Sequence, residues 1–252
     1  MDCYKLILAY DGTKYKGWQV QPNATTIQEC LENAVAVLHK GERISVVGSG
    51  RTDAGVHAKG QVAHFYSPKK FDLFRLLFSL NGLLPLDIRV KNVEVVDLEF
   101  HARYSATSKV YHYHLQLEKV EDPFLRSYSW HFPRQIDIPL LKAATELFKG
   151  THDFTSFANE KHSGSVAKNP VRTIYRLDVI ETENGIRLEF EGNGFLYKMV
   201  RNIVGTLVDV AIGKLSLNDI EKIFEARDRR MASQAAPPQG LFLMHVGYDS
   251  SV

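Results

Sequence analysis

Apolar and polar positions alternate from Tyr4 to Tyr10 and predict a strand ended by Asp11-Gly12. A polar, aromatic stretch through Trp18 and Asn23 then leads to a helix. Thr26 and Glu29 have capping-box spacing, and Ile27, Leu31, Ala34, Val35 and Leu38 form one stripe that ends at Gly41. Residues 44–47 and 61–66 read as strands flanking the glycine-rich GSGRTDAGVHAKG, 72–80 as a second helix and 88–96 as another strand. Further on, the pattern predicts a strand at 109–117 and a helix at 137–148 stopped at Gly150. A hairpin follows, 171–182 and 186–191, turning at Asn184-Gly185, two residues that suit a tight primed turn. A long helix at 196–212 has Met199, Val200, Ile203, Val204, Leu207 and Ala211 on its buried face and Lys198, Arg201 and Asn202 near its start. A short helix at 217–226 and a strand at 241–246 complete the chain.

This order predicts an α+β fold of two similar halves, 1–105 and 106–252, each an antiparallel sheet with helices on one face. Composition narrows the class further. The 252 residues are 44% hydrophobic and 24% charged, which excludes disordered and low-complexity chains. With 31 Lys plus Arg against 29 Asp plus Glu, the net charge is only +2, so any basic surface has to be local. Cys3 and Cys30 lack metal-binding spacing and cannot make a disulfide framework. No apolar run approaches the roughly 18 residues of a membrane span, and a cytoplasmic location is expected.

Nucleotide motifs fail. Gly48-Ser49-Gly50 and Gly192-Asn193-Gly194 both lack the third glycine of the dinucleotide fingerprint, and Gly213-Lys214 is followed by Leu215 rather than Ser or Thr. His112 and His114 share a strand face but have no third ligand nearby in sequence, so no metal is expected.

Three segments carry candidate chemistry. From Arg43 to Phe71 the only acid is Asp53, among Arg43, Arg51, Lys59, Lys69 and Lys70. Glycines at 48, 50, 55 and 60 allow sharp turns that hold Asp53 at the mouth of a cleft, with Arg51 keeping it ionised. The alternative is a turn capped by Asp53, with Arg51 in a surface pair. The acid-free 101–117 stretch sets Lys109, Tyr111, Tyr113, Leu115 and Leu117 on one strand face, where tyrosine can stack on a base or fill a core. Lys198 and Arg201 open the long helix, where its dipole disfavours cations but helps attract an anion.

Taken together, YDGTKYKGWQVQP at 10–22, GRTDAGVHAKGQVAHF at 50–65, HARYSATSKVYHYH at 101–114, HDFTSF at 152–157, GFLYKMVRNIVG at 194–205 and APPQGLFL at 236–243 resemble the bacterial tRNA pseudouridine synthases of the TruA type. MASQAAPPQG at 231–240 departs from the usual glycine-and-threonine pattern before the prolines. The resemblance implies two α+β halves with a basic cleft between them, a homodimer, and no metal or organic cofactor. It implies isomerisation of uridine to pseudouridine at positions 38, 39 and 40 in the anticodon stem-loop of tRNA. Asp53 matches the family's nucleophile, attacking a flipped-out uridine at C1′ or C6. Tyr111 matches the tyrosine that stacks on the target base, Arg51 the arginine that helps hold the flipped-out conformation, and Arg201 the basic partner of the aspartate. Two other readings stay open: a non-catalytic tRNA-binding module, and an N-glycosylase that would release free uracil.

Overall fold

The computed structural model describes residues 1–159 and 169–249. The fold is α+β, and the chain divides into two compact units: Met1–Thr107 together with the chain from Phe242 on, and Ser108–Leu241.

In the first unit, β1 (Asp2–Tyr10) pairs antiparallel with β3 (His57–Ser67) on one side and β4 (Ile88–Val96) on the other. Tyr4, Leu6, Leu8 and Tyr10 on β1 are buried, as alternation along a strand requires. The predicted strand at 44–47 shrinks to β2 (Val47–Gly48). Side chains of α1 (Ile27–Leu38) intercept it: the Val46 N–H donates to Glu32 Oε1 (3.3 Å), and its carbonyl accepts Gln28 Nε2 (3.0 Å). By contrast β3 begins four residues before the expected 61, because a run containing Gly60 hides the period. Thr26 caps α1 by accepting the Glu29 N–H, and Asp72 caps α2 (Leu73–Leu83) by accepting that of Arg75.

The C-terminal strand β10 (Leu241–Tyr248) corrects the expected 106–252 half. It pairs in parallel with β3, through Phe242 with His57 and Leu243 with Ala58. A Cβ on Gly60 would lie 2.2 Å from the Met244 carbonyl oxygen, so glycine there permits the approach.

The second unit is an antiparallel ladder of β5 (Ala106–Gln116), β9 (Gly185–Gly192), β8 (Val171–Thr182) and β7 (Gly150–Asp153), with short β6 (Trp130–His131) parallel to β5. Helices α3 (Ile138–Glu146), α4 (Met199–Ala211) and α5 (Leu217–Ala226) complete it. The Phe224 ring lies 4.9 Å from Phe157 and 5.5 Å from Phe148 and Phe154, a cluster in which each buried ring contributes about 2–3 kcal/mol.

Two local expectations change here. The hairpin turns at Glu183-Asn184, because Thr182 pairs directly with Gly185, and neither turn residue has positive φ, so the turn is not a primed one. Gly185 serves another purpose: a Cβ on it would meet the Leu115 carbonyl oxygen of β5 at 2.2 Å. Helix α4 starts at Met199 rather than 196, because Lys198 adopts the left-handed conformation (φ 61°) and stands outside the helix.

Candidate active-site residues

Asp53 opens a tight turn in which its carbonyl accepts the Val56 N–H (3.1 Å) and Gly55 takes φ 77°. The segment Asp11–Trp18 wraps this turn. The Trp18 N–H donates to the Thr52 carbonyl (3.1 Å), the Gly55 N–H to the Tyr15 carbonyl (3.3 Å), and the Gly12 N–H to His57 Nδ1 (3.0 Å). Contact is close enough to need glycine. A Cβ on Gly12 would lie 2.0 Å from the Val56 carbonyl oxygen, and one on Gly17 2.5 Å from that of Thr52. The Trp18 ring is itself buried against Gly48, with ring carbons 2.5 Å from where a Cβ would stand. The motif from Tyr10 to Trp18 therefore has a structural role that sequence reading missed; its two glycines were the available signal.

Beneath the same loop lies a buried polar network. Tyr10 Oη and Thr52 Oγ1 share a hydrogen bond (2.9 Å). Gln61 Nε2 donates to the Gly50 carbonyl (3.0 Å), and its Oε1 accepts from the Ser49 hydroxyl (2.7 Å) and the Val62 N–H (3.2 Å). Burial pushes the Tyr10 phenol up to about 12, so it stays neutral. One amide thus holds the Ser49 side chain and the Gly50 backbone, and one phenol the side chain of the residue before Asp53. Arg51 points outward, exposed, with Nε donating to Gln19 Oε1 (3.1 Å).

The second unit carries the other two candidates. Tyr111 lies opposite Phe190 on β5 and is 8% exposed, its ring edge-on to Phe195 at 5.3 Å. Tyr113, two residues along the same face, donates its hydroxyl to the Pro237 carbonyl (2.8 Å). Burial holds its phenol well above the usual value, opposed by the charge of Arg201. Arg201 sits in the first turn of α4, which has no acidic residue, and its Nε donates to the Ala236 carbonyl (2.7 Å). That bond fixes the guanidinium plane. His112 and His114 lie on the opposite strand face, with His112 3.6 Å from Glu189. Among the described residues no three His, Cys, Asp or Glu side chains are grouped to hold a metal.

The pattern of the tRNA pseudouridine synthase family matches residues 6–105 and 144–249, which include Arg51, Asp53 and Arg201. The chain belongs to that family. It is 64% identical over 250 residues to tRNA pseudouridine synthase A 1 of Protochlamydia amoebophila (strain UWE25), covering 99% of this chain and 98% of that protein. It is 47% identical over 247 residues to tRNA pseudouridine synthase A of Bacillus subtilis (strain 168), covering 98% and 99% respectively. Membership makes this chain an isomerase that converts uridine to pseudouridine. Tyr111 falls outside the two matched ranges of the family pattern, but the alignments with both relatives cover nearly the full chain. No helix among the described residues is long and apolar enough to cross a membrane.

Proposed function

We propose that this chain isomerises uridines 38, 39 and 40 in the anticodon stem-loop of tRNA, with Asp53 as the nucleophile. The supporting observation is Asp53 itself: the only acid between Arg43 and Phe71, carried on a turn clasped by Trp18, Gly17 and Gly12 and underpinned by Thr52 and Gln61. Its carboxylate attacks C1′ or C6 of a flipped-out uridine. The N1–C1′ bond breaks, the base turns, C5 bonds to C1′ and the carboxylate's own bond to the substrate breaks to release Asp53, while the C5 hydrogen leaves as a proton and N1 gains one. Substrate and product are isomers, so the step consumes neither oxidant nor reductant. Tyr111 presents its ring to the target base, Arg51 holds the flipped-out conformation, and Arg201 is the cationic partner of the carboxylate. The working form is a homodimer in the cytoplasm, which sedimentation at twice the chain mass would check.

The test is tritium release from unmodified tRNA labelled at C5 of its uridines. Wild-type protein releases label, and Asp53→Asn, isosteric but a poor nucleophile, binds the tRNA without releasing it. Wild-type turnover by Asp53→Asn would overturn the nucleophile role. Free uracil among the products would favour the glycosylase instead.

A further inference from the structure

The strap formed by residues 232–236 lies on the start of α4, and the Arg229 side chain ties it at its first two residues. Arg229 donates from Nη1 to the Ala232 carbonyl (3.0 Å) and from Nη2 to the Ser233 carbonyl (2.9 Å). The same guanidinium reaches α4 through Nη2 to Asn202 Oδ1 (2.8 Å), and Nε contacts Asn159 Oδ1 at 3.4 Å. Asn202, fully buried and next in sequence to Arg201, is itself fixed, with Nδ2 donating to the Phe157 carbonyl (2.7 Å) and to Asn159 Oδ1 (3.0 Å). Further along, the Ser233 N–H contacts Thr206 Oγ1 (3.4 Å), and the Gln234 carbonyl oxygen lies where a Cβ on Gly205 would be only 1.9 Å away. The strap ends at Ala236, whose carbonyl accepts Arg201 Nε (2.7 Å) and whose N–H donates to the Arg201 carbonyl (2.9 Å). The result is a closed loop of bonds from Arg229 through the strap to the Arg201 guanidinium and back through Asn202.

We infer that Arg229 is a positioning residue for this isomerase: it holds the strap on α4, and the strap's Ala236 carbonyl in turn orients the Arg201 guanidinium. This rests on the role proposed above for Arg201. Among the described residues the acceptors of Arg229 are all neutral oxygens. Even half-burying a cation without a carboxylate is costly, so a clasp needed only for folding gains nothing from a charge here. What the guanidinium supplies is planar geometry, several acceptors met at fixed angles by one rigid group, which the single ammonium of lysine cannot reproduce.

The experiment compares full-length wild type, Arg229→Lys, Arg201→Lys and the double variant, measuring single-turnover tritium release and tRNA Kd at a temperature where each melts as folded protein. Expected for Arg229→Lys is about a 10-fold slower chemical step with Kd within about 2-fold. The double variant should be no slower than Arg201→Lys alone, because a residue acting through another is silent once that other is gone. Thr206→Val, which removes the Ser233 tether together with the hydroxyl's bond to the Asn202 carbonyl (3.0 Å), should slow the step in the same direction by about 2- to 5-fold, and it serves if Arg229→Lys does not fold. Arg230→Lys is the control: Arg230 is exposed, pairs with Asp228, and should leave the rate unchanged. A wild-type rate in Arg229→Lys, or in Thr206→Val where it stands in, overturns the inference and leaves the proposed function intact. Losses that multiply in the double variant also overturn it, since the two arginines then act separately. A wild-type rate in Arg201→Lys overturns the role of Arg201 and the inference together.

Discussion

Two glycines with nearly the same backbone angle separate strain from site geometry. Gly17 has φ 90° and Gly41 has φ 92°, but a Cβ on Gly41 meets nothing within 4 Å, whereas one on Gly17 lies 2.5 Å from the Thr52 carbonyl oxygen and 3.1 Å from the carbonyl carbon of Asp53. Gly41→Ala therefore costs only the left-handed backbone term, about 1 kcal/mol, a fall in Tm of about 2–4 °C for a chain of this length. Gly17→Ala carries that term plus about 1–3 kcal/mol of overpacking, so Tm falls by about 5–15 °C. Relief of the clash requires the Thr52-Asp53 peptide to move by about 1 Å, a displacement that costs on the order of 100-fold in rate when it shifts a reacting group. The assay is thermal melting alongside single-turnover tritium release, at a temperature where both variants are folded. Gly41→Ala should turn over like wild type and Gly17→Ala about 100-fold more slowly. Equal rates in the two variants would refute the claim that the Asp11–Trp18 segment positions Asp53.

Other outcomes are narrower. Tyr111→Leu should slow turnover at least 10-fold while Tyr111→Phe, which keeps the ring, still binds tRNA; equal rates for the leucine and wild-type proteins would remove the stacking role. Raising salt from 50 to 200 mM should weaken tRNA binding steeply through counterion release, and a flat profile would refute a phosphate-contacting surface. His64 is held down at about 4, mainly by burial, with Nδ1 accepting the Ala102 N–H (3.1 Å). Its folded pKa lies below the unfolded value of about 6.5, so its stabilisation is complete above that pH and is lost as pH falls towards 4, by up to about 3 kcal/mol. His64→Gln should flatten the drop in urea midpoint between pH 8 and 5, and an unchanged drop would assign it to other groups.

Elements read correctly from the sequence are those whose cause is local. Ile88–Val96 is a strand set by its own alternation, and α5 starts where Ser216 and Asp219 form a reciprocal capping box. Two of the misread elements have a cause far away in the chain. Val46 leaves the ladder because Gln28 and Glu32 take its backbone groups, and β10 returns to β3 because Gly60 admits it. The same division runs through the candidate site. Asp53 and Arg51 stand out within one acid-poor stretch, and Tyr111 within one strand face. Nothing near Asp53 in sequence announces Gly17, and nothing near Arg201 announces Arg229.

Both site-bearing segments solve one physical problem in the same way. A charged side chain that is to act on a ligand needs a backbone that does not move, yet neither the turn carrying Asp53 nor the first turn of α4 carrying Arg201 has the full set of repeating bonds of a helix or strand interior. Around Asp53 a glycine without a Cβ lets one backbone lie directly on another, at Gly17 against Thr52, and a buried amide, Gln61, holds the neighbouring carbonyl. Around Arg201 the pairing recurs as Gly205 against Gln234 with the buried amide of Asn202. A methyl group at either glycine meets main chain rather than a side chain that can swing aside, so the strain passes straight to the segment bearing the charge. Activity should therefore be more sensitive than stability at these two glycines, whereas at Gly60, whose contact is with β10, the loss should fall first on stability.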